Sequence, residues 1–399
     1  MRKIVLFTII AIMAAKIALA GALVRTPGGG AAGVPEGGKA ASAILPLDFW
    51  GRLEDKPEYF EAGAEIMMPK FTVKDKLGRQ YSKNIGHVLP WMNYAGKRDE
   101  QLAWGVNLYT PFGLGTSLGK NREQLGFDTQ SLISRTDIMP GLDVWLTNDW
   151  RLSAGLILSF PMVIYKAPFD LNRHPLPVYT NNRALGFGAG WALAVFYEPS
   201  DRFRLGLEYD SEITAKLDGR SKISAGPFVV RDDFNADLEF PASWKLAFRA
   251  KLTGRLEAVG DLGFFSYSKT ANDVVLEFDK LMIHKPLKLK WQDTWACHTG
   301  FNYRLNKRWS ARTGLGWLSQ GVPDETTDTL TLDVPGWDTA LGVSCQLNDN
   351  SSVNLSWTRA WGNNEVKKGL REKRYTADIN TFAATISVNF GGKPRSGKR

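Results

Sequence analysis

The alternation from Trp291 to Tyr303 constrains this chain more than any other stretch. Odd positions carry Trp291, Trp295, Cys297, Phe301 and Tyr303, broken only by Asp293 and Thr299. Even positions carry Gln292, Thr294, Ala296, His298, Gly300 and Asn302, all polar or small. A β-strand sends successive side chains to opposite faces, so the pattern describes a strand with one apolar and one polar face. A half-buried strand of a soluble sandwich would read the same way. Repetition decides against it. Trp309, Ala311, Thr313, Leu315 and Trp317 follow at once, then Trp337, Thr339, Leu341, Val343, Cys345 and Leu347, then Val353, Leu355 and Trp357. The aromatics fall near strand ends, as in the girdles of a membrane β-barrel.

The whole chain of 399 residues reads as one large domain, because periodicity runs from about residue 60 to 390 with no linker. Its mean hydropathy is slightly negative, which excludes a bundle of membrane helices but not a barrel, where apolar residues sit at alternate positions. The 14 Trp and 39 Gly fit interfacial belts and tight bends. The net charge of +9 does not point to nucleic acid, because Lys and Arg are dispersed and partly confined to the tail Lys393 to Arg399. Cys297 and Cys345 have no metal-site spacing and both fall on apolar strand faces, so two lipid-facing thiols and no disulfide are expected.

Met1-Arg2-Lys3, an apolar run from Ile4 to Ala15 and Ala18-Leu19-Ala20 read as a secretory signal at 1–20. The apolar run falls short of the ~20 residues a membrane helix needs. Residues 21–51 are rich in Gly, Ala and Pro and show no alternation. The apolar stretch Ile44-Leu45-Pro46-Leu47-Asp48-Phe49-Trp50 suits a compact plug better than a solvated leader. A barrel at 52–390 and a basic tail at 391–399 complete the expected organisation.

Fourteen strand-like runs follow Tyr59, at about 60–75, 87–97, 101–111, 130–147, 150–168, 183–199, 202–218, 232–252, 255–279, 288–306, 308–321, 334–348, 351–368 and 371–390. Their connections alternate short and long. The long ones fall at 76–86, 112–129, 169–182, 219–231, 279–287, 322–333 and near 366–371. Even strand number with short turns at one end is the anatomy of an outer-membrane barrel, and a propeller would repeat its connections every four strands. Each run meets the ~9–11 residues a crossing strand needs.

With the aromatics facing lipid, Arg135, Asp137, Asp143, Arg204, Glu208, Asp210, Asp237, Glu239, Lys245, Arg249, Lys251 and Arg312 are assigned to the lumen. A lipid-facing Lys or Arg would cost roughly 2–4 kcal/mol at mid-depth. Mixed signs point to mutual ion pairing. Tyr109-Thr110-Pro111-Phe112-Gly113-Leu114-Gly115 breaks the third strand with a residue lacking an N–H and two glycines, which predicts a bulge or bend. His87, His174, His284 and His298 form no metal motif. No metal, cofactor or catalytic site is expected, and the chain reads as no enzyme.

Four stretches resemble the outer-membrane long-chain fatty-acid transport family, the FadL type. Trp104 to Leu114 is similar to its third strand and kink. Leu238-Glu239-Phe240-Pro241-Ala242-Ser243-Trp244 resembles its leucine-x-x-proline-x-x-tryptophan strand. Arg308 to Gly314 resembles its aromatic-x-x-arginine-x-glycine strand. Val322-Pro323 and Pro335-Gly336-Trp337 match the loop and strand entry that follow. The likeness covers about residues 45–390, in order, and departs where the usual asparagine-proline-alanine of the plug gives way to Ile44-Leu45-Pro46.

The resemblance implies an all-β, fourteen-stranded antiparallel transmembrane β-barrel with the N-terminal plug, or hatch, at 21–51 inside. It implies passive uptake of hydrophobic compounds (long-chain fatty acids or hydrocarbons) by lateral passage through a wall opening at Tyr109, Pro111, Phe112, Gly113 and Gly115. Carboxylate-binding positions of the family fall near Lys166 and Lys288. The implied setting is the outer membrane of a Gram-negative bacterium, reached by the barrel assembly machinery, as a monomer among outer-membrane lipid and lipopolysaccharide, with a hydrophobic small molecule as cargo and no nucleic acid. A general porin and a structural or adhesive barrel are the alternatives.

Overall fold

A computed structural model describes residues 45–53, 56–82, 86–121, 126–169, 178–270, 273–368 and 371–391. The expected signal at 1–20, most of the expected hatch and residues 392–399 of the tail lie outside the described residues. Among the described residues one short helix, α1 (Phe49–Leu53), precedes the strands. The strands are β1 (Glu58–Asp75), β2 (Gly78–Tyr81), β3 (His87–Lys97), β4 (Leu102–Asn121), β5 (Phe127–Trp145), β6 (Trp150–Phe169) and β7 (Val178–Ser200). They continue as β8 (Phe203–Asp210), β9 (Ile213–Ala225), β10 (Phe228–Phe240), β11 (Ser243–Lys251), β12 (Leu256–Phe265) and β13 (Asp273–Phe278). The last are β14 (Ile283–Lys288), β15 (Thr294–Arg304), β16 (Trp309–Leu318), β17 (Gly336–Asn348), β18 (Ser351–Lys368) and β19 (Arg371–Phe390).

These strands form one antiparallel barrel of fourteen staves. The ring closes where β1 pairs β19, from Glu58↔Phe390 to Lys74↔Arg374. β2 folds back on β1 as a hairpin and is not a stave. Four staves are split in two: β8 with β9, β10 with β11, β12 with β13, and β14 with β15. Both chain ends of the barrel and the short turns lie at one mouth. The long connections lie at the other.

Alternation holds on both faces. Ile66, Leu156, Leu315 and Leu355 stand exposed on the outside. An aromatic belt follows the ladder register: Tyr209↔Trp244, Trp244↔Phe264 and Phe264↔Trp295, then Trp317↔Trp337 and Trp337↔Trp361. A second belt near the short turns includes the ring pairs Trp150–Tyr197 (4.6 Å) and Tyr94–Trp104 (5.2 Å). From Trp295 to Tyr303 the chain advances eight residues, about 26 Å along the strand. Tilted by ~40°, that spans about 20 Å of membrane normal, close to the ~25 Å apolar band of such barrels. Cys297 is exposed on this outer face, Cys345 is half-buried, and both are free thiols.

The split staves change which residues face inward. Pro241 supplies no ladder N–H, and the two residues between β10 and β11 flip the side-chain parity. In β10 the even positions Phe234, Ala236, Leu238 and Phe240 are buried, whereas in β11 the odd positions Ser243, Lys245 and Ala247 are. Asp237 and Glu239, expected inside, therefore face outward. Trp291 is corrected in the opposite sense. It lies in the break before β15 and is buried inside the barrel.

Several expected loops are strand. β4 and β5 run through most of 112–129, and β9 and β10 fill 219–231 around a turn at 226–227. In β9 and β10 the cause is that the staves rise beyond the apolar band, where the outer face turns charged and the two-residue rhythm of hydrophobicity fades; in β4 the outward positions are Gly113, Gly115 and Ser117, which carry no hydrophobic rhythm. The connection at 319–335 is irregular, as expected.

Candidate functional site

The lumen near the short turns is occupied by residues 45–53. Leu45, Leu47, Phe49, Trp50 and Leu53 are all buried. At ~1.5–3 kcal/mol for each large apolar side chain, their burial favours docking by an amount on the order of 10 kcal/mol. Glycines on the inner wall make the seat. A Cβ at Gly155 would lie 2.7 Å from Leu47 Cδ2, one at Gly206 would lie 2.5 Å from Leu45 Cδ1, and one at Gly105 would run into the Phe49 ring.

Polar contacts lock this segment in register. The Leu47 N–H donates to Glu208 Oε2 (3.1 Å), and the Trp50 N–H donates to Asp143 Oδ2 (3.0 Å). Asn107 Nδ2 donates to the Pro46 carbonyl (2.7 Å). Asp48 is fully buried between Arg151 Nη2 (2.8 Å) and Arg204 Nη1 (3.3 Å). Burial opposes its charge, but Arg204 and Arg151 outweigh that and hold the carboxyl well below the usual range. Arg151 also binds Asp143 and Glu198. Further inward charges pair as the mixed signs implied: Arg135–Asp137 (2.7 Å), Lys245–Glu208 (3.1 Å) and Arg249–Glu257 (2.7 Å), whereas Arg312 Nη2 donates to Ser344 Oγ and to Asn354 Oδ1 (3.1 Å). Lys251 sits at the rim, 3.8 Å from Asp201.

Midway up, the ladder between two staves is interrupted. β3 pairs β4 only from Lys97↔Ala103 to Met92↔Leu108. β3 continues to His87 along β1, and β4 continues to Asn121 along β5. Residues 87–91 and 109–117 thus flank a break with no β-ladder between them. Ser82↔Leu118 bridges its top, helped by Gln80 Nε2 donating to the Lys120 carbonyl (2.8 Å). A bulge starts the break: Tyr109↔Asp137 is followed by Phe112↔Arg135, so Thr110 and Pro111 oppose Thr136 alone. All five kink residues lie along this edge, with Gly113 and Gly115 alternating with the inward Phe112 and Leu114.

Behind the break the lumen is packed with aromatic side chains. Phe112 meets Phe240 (5.2 Å) and Trp291 (6.2 Å), and Tyr267 meets Trp291 edge-on (5.6 Å). The Arg135 guanidinium lies over Phe240 at 5.1 Å. Further toward the long loops, Met67, Phe71, Leu89, Leu332, Tyr375 and Ile379 belong to a second apolar cluster. The connection between β16 and β17 closes on the broken strand. Thr116 Oγ1 donates to the Thr329 carbonyl, and Asn121 Nδ2 donates to Thr329 Oγ1 (2.8 Å). Asp333 accepts the Gly321 N–H (2.6 Å) and the Val322 N–H (3.3 Å) within this loop. Burial pushes its carboxyl up to about 6, against the backbone N–H groups of Gly321, Val322 and Val334.

The two candidate lysines lie elsewhere. Lys166 is on the outward-facing set of β6, opposite Gln130 and Asn181. Lys288 is exposed at the end of β14, opposite Asp273. Their staves are not neighbours. The Asp48 anchor, the glycine seat and the Thr329 contact were not singled out from sequence. Inward glycines at alternate strand positions beside an apolar N-terminal stretch carried a signal for the seat. The Thr329 contact left none.

A family model described as outer membrane protein transport protein (OMPP1/FadL/TodX) matches residues 52–392. The chain belongs to this family. A long-chain fatty acid transport protein of Escherichia coli O6:H1 is 20% identical over 346 residues, covering 75% of this chain and 76% of the relative. Solved structures share the fold. A FadL homologue of Pseudomonas aeruginosa superposes with a TM-score of 0.80 at 16% identity, covering 93% of this chain and 100% of that one. The toluene transporter TbuX of Ralstonia pickettii gives 0.72 at 17% identity (92% and 97%), and the toluene transporter TodX of Pseudomonas putida gives 0.69 at 17% (84% and 91%). The chain is accordingly an outer-membrane transport protein of a Gram-negative bacterium for hydrophobic compounds and not an enzyme. The mouth with short turns faces the periplasm.

Proposed function

We propose that this protein passes uncharged hydrophobic compounds from its lumen sideways into the outer membrane, through the break between β3 and β4. The interrupted ladder carries the reading, because hydrogen-bonded neighbours join the described wall on either side of it. Residues 45–53, which take in the described end of the expected hatch, close the periplasmic mouth. A cargo that left downward would expose its apolar surface to water at about 0.8 kcal/mol per CH₂ group. A lateral exit keeps it in an apolar medium throughout.

The lining favours a neutral cargo such as toluene. Arg135 at the aromatic cluster is bidentate with Asp137, so a carboxylate there would compete with an existing pair. The aromatic cluster and the Thr329 contact must rearrange for passage. The test is uptake of toluene and oleate by an outer-membrane mutant expressing the native chain or a variant with Gly113→Val and Gly115→Val. Toluene uptake that disappears in the variant, with insertion normal, supports lateral passage. Equal uptake by both overturns it.

A fatty acid is the second reading, favoured by the likeness to the E. coli long-chain fatty acid transport protein. Lys166 and Lys288 are then the candidates for its carboxylate. Lys166→Met and Lys288→Met would slow oleate uptake and leave toluene uptake unchanged.

A further inference from the structure

Beyond the apolar band, the outer face of β7, β9 and β10 turns cationic. Arg183 of β7 stands opposite Arg220 of β9. One pair further toward the long-loop mouth, Lys222 stands between Asn181 on β7 and Arg231 on β10. Asn182 and Ser221, between them in sequence, are buried on the opposite face. Neighbouring strands lie ~4.8 Å apart and same-face residues ~7 Å apart, so the four cations form one compact patch. Like charges directly opposite each other weaken a ladder.

The protein does little to neutralise them. Among the described residues none of Arg183, Arg220, Lys222 and Arg231 makes a side-chain ion pair. On the same face the register places Asp233 opposite Arg220, and Asp218 two residues before it. The Asp232 carboxylate is engaged by the backbone N–H groups of Asp233 (2.9 Å), Lys280 (2.8 Å) and Leu281 (3.0 Å). Lys280 adds a fifth cation, its Nζ donating to the Arg231 carbonyl at 3.3 Å. An open groove of ≈ 540 Å³ runs over these side chains.

Directly below, the wall is apolar on β6 and β7, while Asp218 and Lys216 of β9 stand opposite Leu185 and Phe187. Arg183 pairs with Ile164. Leu185 and Phe187 follow on its own face, 60% and 53% exposed, and Phe187 packs against Phe160 at 5.6 Å. Cations above an exposed apolar strip, at the mouth away from the periplasm, match an amphiphile with phosphates where head group meets acyl chains.

We propose that Arg183, Arg220, Lys222 and Arg231 dock the phosphorylated glycolipid of the outer leaflet, lipopolysaccharide, on the outside of the barrel. Arginine forks take the phosphates bidentately, and the acyl chains lie on Leu185, Phe187 and Phe160. The site stands independently of what passes through the lumen.

The test uses the purified full-length protein in detergent, titrated with lipopolysaccharide and followed by native mass spectrometry. A triple variant (Arg220→Ser, Lys222→Ser, Arg231→Ser) is compared with a control that loses the same charge near the periplasmic turns (Arg202→Ser, Arg255→Ser, Lys307→Ser). A milder pair, Arg183→Gln with Arg231→Gln, covers failure of the triple variant to fold. The expected result is at least tenfold weaker binding by either patch variant and unchanged binding by the control. Chemically dephosphorylated lipopolysaccharide should bind the native protein as weakly as the patch variant binds the intact glycolipid. Native-like binding by the folded patch variants, or equal loss in the control, overturns the proposal. Inorganic phosphate displacing the glycolipid at equal concentration overturns the lipid assignment and leaves a free-phosphate site.

Discussion

Asp48 shows how one side chain can hold a whole segment. Its carboxylate is enclosed by Arg151 and Arg204 in the lumen, where water cannot replace either partner. Removing one member of a buried pair costs about 3–5 kcal/mol. Arg151 keeps Asp143 and Glu198, so the lower figure applies. Asp48→Ala is expected to loosen residues 45–53 while the barrel, held by its own ladders, still inserts. Single-channel conductance in a planar bilayer should rise above the native level; unchanged conductance would show that the segment docks without Asp48. Gly105 makes the same point by volume. A side chain there meets the Phe49 ring and the Tyr94 carbonyl, 2.6 Å from the new Cβ, so Gly105→Val should displace the segment as well. The glycine was visible in the sequence. Its facing partner 56 residues earlier was not, because no local pattern links Gly105 to Phe49.

The connection between β16 and β17 is the element most open to adjustment, since it is irregular yet buried against the broken strand. Asp333 ties its start to its end. Because the folded carboxyl titrates at about 6 and the unfolded one near 3.8, the folded loop holds a proton that the unfolded chain has released. The stabilisation is therefore complete below pH ~3.8 and is lost as pH rises through about 6. Hydrogen-exchange protection of residues 320–334, corrected for intrinsic rates, should be higher at pH 5 than at pH 7.5. Asp333→Asn should remove that difference, and a pH response that survives the substitution would assign it to another group. The third stave shows a parallel division. Pro111 with its glycines announced a bulge, and the structure has one. That β3 stops pairing four residues before the bulge ends depends on β2, Ser82 and the β16–β17 connection, which lie far off in sequence.

For the whole molecule, the girdles set the depth in the membrane. Cys297 lies one step inside the upper aromatic belt, and Cys345 stands opposite Trp309 near the lower one. In liposomes, an apolar maleimide should label Cys297 while a charged, membrane-impermeant reagent should not. Labelling by the charged reagent would place the upper belt above the bilayer.

Fold class and wall came from the sequence alone, because a barrel repeats one local rule: every stave must alternate to satisfy lipid outside and polar neighbours inside. That rule is written in Trp295 to Tyr303 and again in Trp309 to Trp317. It fails where the two environments stop differing. Above the apolar band, Arg220, Lys222 and Arg231 face water, so the adjoining ends of β9 and β10, at 219–231, lost their signature and read as loop. It fails again at the stave breaks, where the one at Pro241 reversed the faces of Asp237 and Glu239 and the one before β15 sent Trp291 inward. The floor, the break beside β3 and the cationic patch join residues from separate staves. Such contacts follow from ring closure and strand register, which bring distant residues together at ~5 Å spacing, and no single stretch of chain encodes them.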